Sequence, residues 1–269
     1  MARILLHLLV ATLYASLWFV CRPERAHESV SRTKILLTLT AAILGHAFAL
    51  AGELIQNGEL VFGFINTLSL TIWFAMLFYL IENTLKPLTG LLLFAAPVAA
   101  LISALPILPG GHPIAIPLTN WAAKLHIFVG VCAYSLFTLA AFHAVLILAL
   151  EKRLHGNIGV ETLGRLPPLL SLEHLLFTLI HAAFFLLTLT VGTGVFFSEQ
   201  LFGSPFALTH KSAFSILAWF VFGTLILGRR LRGWRGQIAL RWTLSGLLLM
   251  LLAYAGSRFV LEFLLGRSV

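Results

Sequence analysis

Ten histidines are spread along a 269-residue chain that is 59% hydrophobic and only 10% charged. His7, His46, His126, His143 and His181 fall inside long apolar runs, of the kind seen at 35–51 and 244–255. A titratable ring in hydrocarbon is costly and marks a candidate functional site. Zinc would need about four close N, S or carboxylate ligands. The chain has no H-E-x-x-H, no Cys–His cluster and no aspartate, so that reading is weak. Cys21 and Cys132 form no C-x-x-C pair, which leaves packing as their role. Hydrolytic triads and paired carboxylates have nothing to build on when all ten acidic residues are glutamates scattered along the chain.

Haem asks less of a protein: one or two axial imidazoles, an apolar slot, and cations near the propionates. Facing helices with a histidine each can supply the first, and aromatic-rich helix walls the second. Lys124, Lys211 and Arg258 can supply the third. The plain alternative for each ring is a neutral imidazole hydrogen-bonded to a neighbouring helix. A proton relay is a further alternative, but intramembrane carboxylates usually accompany one. Glu53, Glu59, Glu82 and Glu199 all read as helix-end or loop residues.

The elements that must position these rings are membrane spans. Apolar runs predict eight helices at about 3–21, 34–52, 63–82, 88–105, 121–150, 173–197, 209–228 and 239–262. Pro87, Pro106 and Pro167-Pro168 mark breaks, and Pro97 lies inside the fourth helix. The fold class is therefore all-α, a polytopic membrane bundle forming one integral membrane domain over 1–269. The first span reads as an uncleaved helix because no small-residue cleavage site follows it.

The charge of +8 reads as topology, not as nucleic-acid binding. Arg22, Arg25, Arg32, Lys34, Lys86, Lys152, Arg153, Arg165, Arg229, Arg230, Arg232, Arg235 and Arg241 lie in one set of loops. Arg3, Lys124, Lys211, Arg258 and Arg267 lie on the other side. That asymmetry predicts both termini on the extracytoplasmic side and the basic turn 229–241 in the cytoplasm. The Gly233-Trp234-Arg235-Gly236 turn then reads as an interfacial anchor able to meet anionic headgroups.

This topology sorts the histidines by depth. His7, His46, His112, His126 and His210 form an outer band, and His143, His174 and His181 an inner one. His174 and His181 are seven residues apart and face nearly the same way, ~10 Å apart along the axis. Whether the inner three form a second site is left open. His27 and His155 read as solvated loop residues, and Gly110-Gly111 as a turn.

Several strings carry a family resemblance. They are Leu125-His126-Ile127, Ala133-Tyr134, Leu150-Glu151-Lys152-Arg153, the run 217–222 leading to Gly233-Trp234-Arg235-Gly236, and the segment 252–258. Together they resemble the cytochrome c assembly protein family, in its YpjD-type inner-membrane branch, related to HemX and more distantly to CcsA and CcmC. The resemblance covers nearly the whole chain and is strongest over 121–262. It implies an eight-helix bundle in the bacterial inner membrane and an association with haem handling. Haem-transferring members carry a tryptophan-rich, aspartate-containing outer loop. The matching stretch 196–211 has neither residue, though Phe196, Phe197, Phe202 and Phe206 keep it aromatic. His126 matches the family's histidine positions well and His46 approximately.

These readings converge on a haem-handling inner-membrane protein associated with cytochrome c assembly and not acting as an enzyme. His126 and His46 are the expected axial ligands of haem b. His181, His210, Lys124, Lys211 and Arg258 are further candidate haem contacts. The expected partners are haem, the bilayer and another inner-membrane protein. The alternatives are a non-haem accessory subunit of another membrane protein or of tetrapyrrole synthesis, and a small-ion or proton carrier.

Overall fold

The computed structural model describes residues 1–22, 31–56, 59–108, 114–117, 120–155, 168–199 and 206–260. His27, His112 and Gly110-Gly111 lie outside that set, as do residues 200–205 and the side chains of His155 and Arg258. The helices are α1 (Ala2–Val20), α2 (Arg32–Leu54), α3 (Phe64–Leu85), α4 (Leu92–Ala104), α5 (Trp121–His155), α6 (Leu169–Phe196), α7 (His210–Arg232) and α8 (Gly236–Leu251). Short 3-10 turns flank α4, at Thr89–Leu91 and Leu105–Ile107. With these turns, all eight helices are long and apolar enough to cross a membrane. Consecutive helices therefore alternate in direction. One end of the bundle, here the near end, is where α1 begins; the far end carries the basic turn 229–235.

Two features depart from the expected spans. The connections at the near end, expected as loops, pair as a small antiparallel sheet of β1 (Ile55–Gln56), β2 (Glu59–Phe62) and β3 (Ile114–Pro117). The register sets Leu60 opposite Ile116 and Phe62 opposite Ile114. The last span also does not run as one α-helix. After Leu251 the chain takes a π-helical turn over Leu252–Gly256 before closing with Ser257–Phe259.

The main core cluster draws buried residues from α1 through α8, including Tyr14, Leu39, Met76, Phe137, Ile180, Phe222 and Met250, and a second small cluster joins Leu50, Leu54 and Phe62 near the sheet. The closest helix associations are α5 with α6 and α1 with α4, with α3 also packed on α5. Polar side chains tie helices at points where hydrocarbon would leave them unsatisfied. Trp73 Nε1 donates to Ile43 O at 2.9 Å, joining α3 to α2. Ser135 Oγ reaches Thr71 O at 2.9 Å, joining α5 to α3. Asn83 Oδ1 accepts from Leu88 N at 2.8 Å, and Tyr79 OH donates to Leu88 O at 3.1 Å, so the end of α3 clamps the turn into α4.

The basic turn is built more tightly than a simple headgroup anchor. Gly233 takes φ 66° and ends α7 in the left-handed conformation that glycine adopts without penalty. The chain then folds Trp234 back over Gly228, where a Cβ would stand 2.4 Å from the indole. Arg229 donates to Trp234 O at 3.1 Å, lies 3.8 Å from Glu173 Oε2, and sits over the Phe177 ring. Gly236 N donates to Glu173 Oε1 at 3.0 Å. Trp234 and Arg229 are thus half-buried joints, while Arg230, Arg232, Arg235 and Arg241 remain exposed.

Candidate functional site

His126 stands one turn into α5 at the near end and faces α6. Its Nδ1 lies 2.8 Å from Thr193 Oγ1. The Thr193 hydroxyl donates onward to Leu189 O at 2.7 Å, so its oxygen is the acceptor for His126. The imidazole is thereby held with the proton on Nδ1 and the lone pair on Nε2. A second-shell partner of this kind fixes tautomer and ring orientation for a metal-ligating histidine. The ring lies against Gly194 of α6, where a Cβ would be in ordinary contact with His126 Cε1 at 3.5 Å. Farther along the same seam, a Cβ at Gly130 would press on Thr190 at 3.3 Å. Gly192 faces open space instead.

The cation expected beside this ring is present. Lys211, on the first turn of α7, lies within electrostatic reach of His126 and holds its Nζ 5.3 Å from the Tyr254 ring centroid. Tyr254 belongs to the π-helical turn, and its hydroxyl is 3.0 Å from Thr67 Oγ1 of α3. Tyr134 of α5 lies edge-on to it at 6.5 Å. Five helices thus contribute side chains to one polar neighbourhood at the near end. Exposed Trp121, Phe128, Phe196 and Phe197 lie on its α5 and α6 flanks. Lys124 is half-buried on the first turn of α5, and His210 is exposed at the start of α7.

The other candidate ligands are not brought to His126. His46 is fully buried between α1, α2 and α3. Its Nε2 is 2.9 Å from Ser69 Oγ, and its Nδ1 is 3.5 Å from Tyr14 OH. A neutral ring that donates to Ser69 and accepts from Tyr14 satisfies all three groups, which makes His46 a helix-joining residue in this arrangement. The ring turns toward the N-terminal helices. His181 is exposed on α6, with its Nδ1–H bonded to the Phe177 carbonyl of its own helix. His174 is exposed as well. His143 is buried and faces Glu82 at 3.0 Å, so the inner histidines do not converge. Among the described residues, no three His, Cys, Asp or Glu side chains are grouped to hold a metal ion. The two cysteines are unpaired with each other; Cys132 is buried and Cys21 half-buried.

Sequence reasoning missed the inward turn of two residues that it had named. Glu53 and Glu82 do sit at helix ends, but both fold inward. Glu53 is 3% exposed, and it pairs with Arg3 and lies 3.4 Å from His7. The signal was the seven-residue spacing of His46 and Glu53 on α2, and of His7, Tyr14 and Cys21 on α1.

Comparison with known proteins decides the family. The model for Cytochrome C assembly protein matches residues 4–265. The chain belongs to the cytochrome c assembly protein family. It is 33% identical over 136 residues to the inner membrane protein YpjD of Escherichia coli K12, covering 51% of each chain. It is 32% identical over 161 residues to a 28.8 kDa protein of Azospirillum brasilense, covering 60% of this chain and 57% of that one. It is also 24% identical over 165 residues to the cytochrome c biogenesis protein CcsA of Prochlorococcus marinus, covering 53% and 52%. The chain thus spans about half the length of the relatives it matches. No solved structure matches it. With its eight apolar helices, this family member is a multi-pass inner-membrane protein.

Proposed function

We propose that this member of the cytochrome c assembly protein family binds haem b at the near end of its bundle and serves as a haem handler in cytochrome c assembly. Haem would be held, not chemically altered. His126 would hold the haem iron through Nε2, with Thr193 fixing Nδ1–H. Lys211 would be the cation for a propionate, with Lys124 and His210 at the same end of the bundle. His46 and His181 have no part in this site. Haem supplies an iron that takes an imidazole lone pair and a flat apolar plate that needs aromatic cover. The observation that carries the reading is the Thr193–His126 bond: it presets the tautomer an iron-binding imidazole needs, beside a cation and within this family.

The test is an absorption spectrum of the full chain, purified in mild detergent and supplemented with haem. A Soret band is expected that His126→Ala removes. Thr193→Val is expected to weaken haem affinity by ~10–100-fold, as for other second-shell partners of metal-bound histidine. Absence of the band, or a band indifferent to His126→Ala, overturns the proposal.

A further inference from the structure

The buried ionisable groups farthest from the haem reading form two matched pairs, one at each end of the bundle. At the near end, His7 of α1 has its Nδ1 2.9 Å from the Ser103 carbonyl of α4. A carbonyl only accepts, so Nδ1 carries a proton and Nε2 is the second ring nitrogen, 3.4 Å from Glu53 Oε1. At the far end the arrangement recurs with different helices. His143 of α5 has its Nδ1 3.0 Å from Leu139 O, and its Nε2 lies 3.0 Å from Oε1 of Glu82 on α3. Neither Nε2 makes a hydrogen bond to another described group, nor do the two carboxylate oxygens of Glu82, while Glu53 Oε1 also meets the ion-paired Arg3 guanidinium.

A neutral imidazole lone pair opposed to a charged carboxylate sets two acceptors face to face. In a low-dielectric interior that arrangement is expensive. One proton between them resolves both pairs, whether it resides on nitrogen or on oxygen. We infer that the N-terminal half of the bundle binds protons at two sites, Glu53–His7 and Glu82–His143, one toward each end of the bundle. The facing nitrogens and oxygens are buried. Solvent is one side chain away: Arg3, which pairs with Glu53, is 62% exposed at the near end, and the Glu82 side chain is 11% exposed at the far end.

The surroundings make the sites unequal. Around Glu53–His7 stand the Arg3 guanidinium on α1 and His46 on α2, which lies within electrostatic reach of His7. α4 contributes only the Ser103 carbonyl. Around Glu82–His143 stand Tyr79 and Asn83 on α3 and Cys21 after α1. Arg32 of α2 is committed to Asn83 O at 2.8 Å, and Lys86 is exposed just beyond α3. A guanidinium pairs directly with the near carboxylate, while the described ion pair of Glu82 is with His143 alone. Between the sites, α3 buries Ile72, Ala75 and Met76 after Ser69. That apolar stretch separates two binding sites and does not form a continuous wire.

Proton uptake by the full-length chain in nanodiscs tests this, read with a pH indicator as the buffer is taken from alkaline to mildly acid. Glu53→Gln and Glu82→Gln are near-isosteric and keep a donor for Nε2. Each is expected to take up one proton fewer than the unaltered chain, and the double variant two fewer. Equal uptake in all four overturns the inference. A readout on the unaltered chain guards against misfolded variants. NMR of isotope-labelled histidine must show two rings whose Nδ1 stays protonated while Nε2 responds to pH, and two unresponsive rings overturn it as well. Haem binding plays no part in either measurement, so its failure and this one are distinguishable.

Discussion

At the scale of single residues, the same side-chain type does three different jobs according to what meets its nitrogens. His126 has one nitrogen assigned by a hydroxyl that is itself committed to a carbonyl. His46 has hydroxyls at both nitrogens, and His7 and His143 each pair a carbonyl with a carboxylate. The consequence for His46 is testable. His46→Ala strands the buried Tyr14 and Ser69 hydroxyls, and each such group left unsatisfied costs about 1–3 kcal/mol. A lowered thermal unfolding midpoint in detergent is expected, with the haem spectrum intact. Loss of the Soret band without loss of stability would restore His46 as a ligand. Histidine type and depth were legible from the sequence. Partners were not, because a spacing of seven tells which residues share a helix face but not where that face points. His174 and His181 share that spacing with His46 and Glu53, yet the first pair looks outward and the second inward. In a membrane bundle both faces of a helix are apolar, so the usual amphipathic stripe that would orient them is missing.

At the scale of elements, boundaries were readable wherever an apolar run met charge or proline, and α1 to α8 lie within a few residues of expectation except at the last span. The small sheet at 55–62 and 114–117 was not readable. Its strands are two to four residues long and sit in segments rich in turn formers. Helix contacts depend on glycines whose role only the packing reveals. At Gly246 of α8 a Cβ would stand 2.5 Å from the Phe222 ring of α7, and Phe222 in turn stacks on Phe137 of α5 at 3.7 Å. Overpacking at such a joint costs about 1–3 kcal/mol. Gly246→Ala is therefore expected to lower the unfolding midpoint. Adding Phe222→Leu should recover part of the loss, which a double-mutant cycle measures. Additive losses would show that the two residues do not meet.

At the scale of the whole molecule, the sequence points to one orientation through its distribution of arginine and lysine. Arg230, Arg232, Arg235 and Arg241, exposed at the far end, belong to the loops that this distribution expects in the cytoplasm. In a background where Cys21 and Cys132 are replaced, Trp121→Cys is expected to react with an impermeant thiol reagent added to intact cells. Arg232→Cys should react only after the membrane is opened. The reverse pattern would invert the topology and put the His126 neighbourhood in the cytoplasm. The 35 residues of α5 run ~52 Å at the usual rise, well beyond the ~30 Å of hydrocarbon. That helix touches both halves of the bundle, packing on α3 and α4 on one side and on α6 and α8 on the other. It carries both His126 and His143.

The wide turn at Leu252–Gly256 amounts to one surplus residue accommodated inside the terminal rod. Excising a single residue there would let the rod relax to ordinary pitch, and everything beyond would rotate by ~100°. Tyr254 would swing off Thr67 and carry its ring out from under Lys211. A chain one amino acid shorter would thus still span the bilayer while its cation was aimed elsewhere, a change that hydropathy alone would never register.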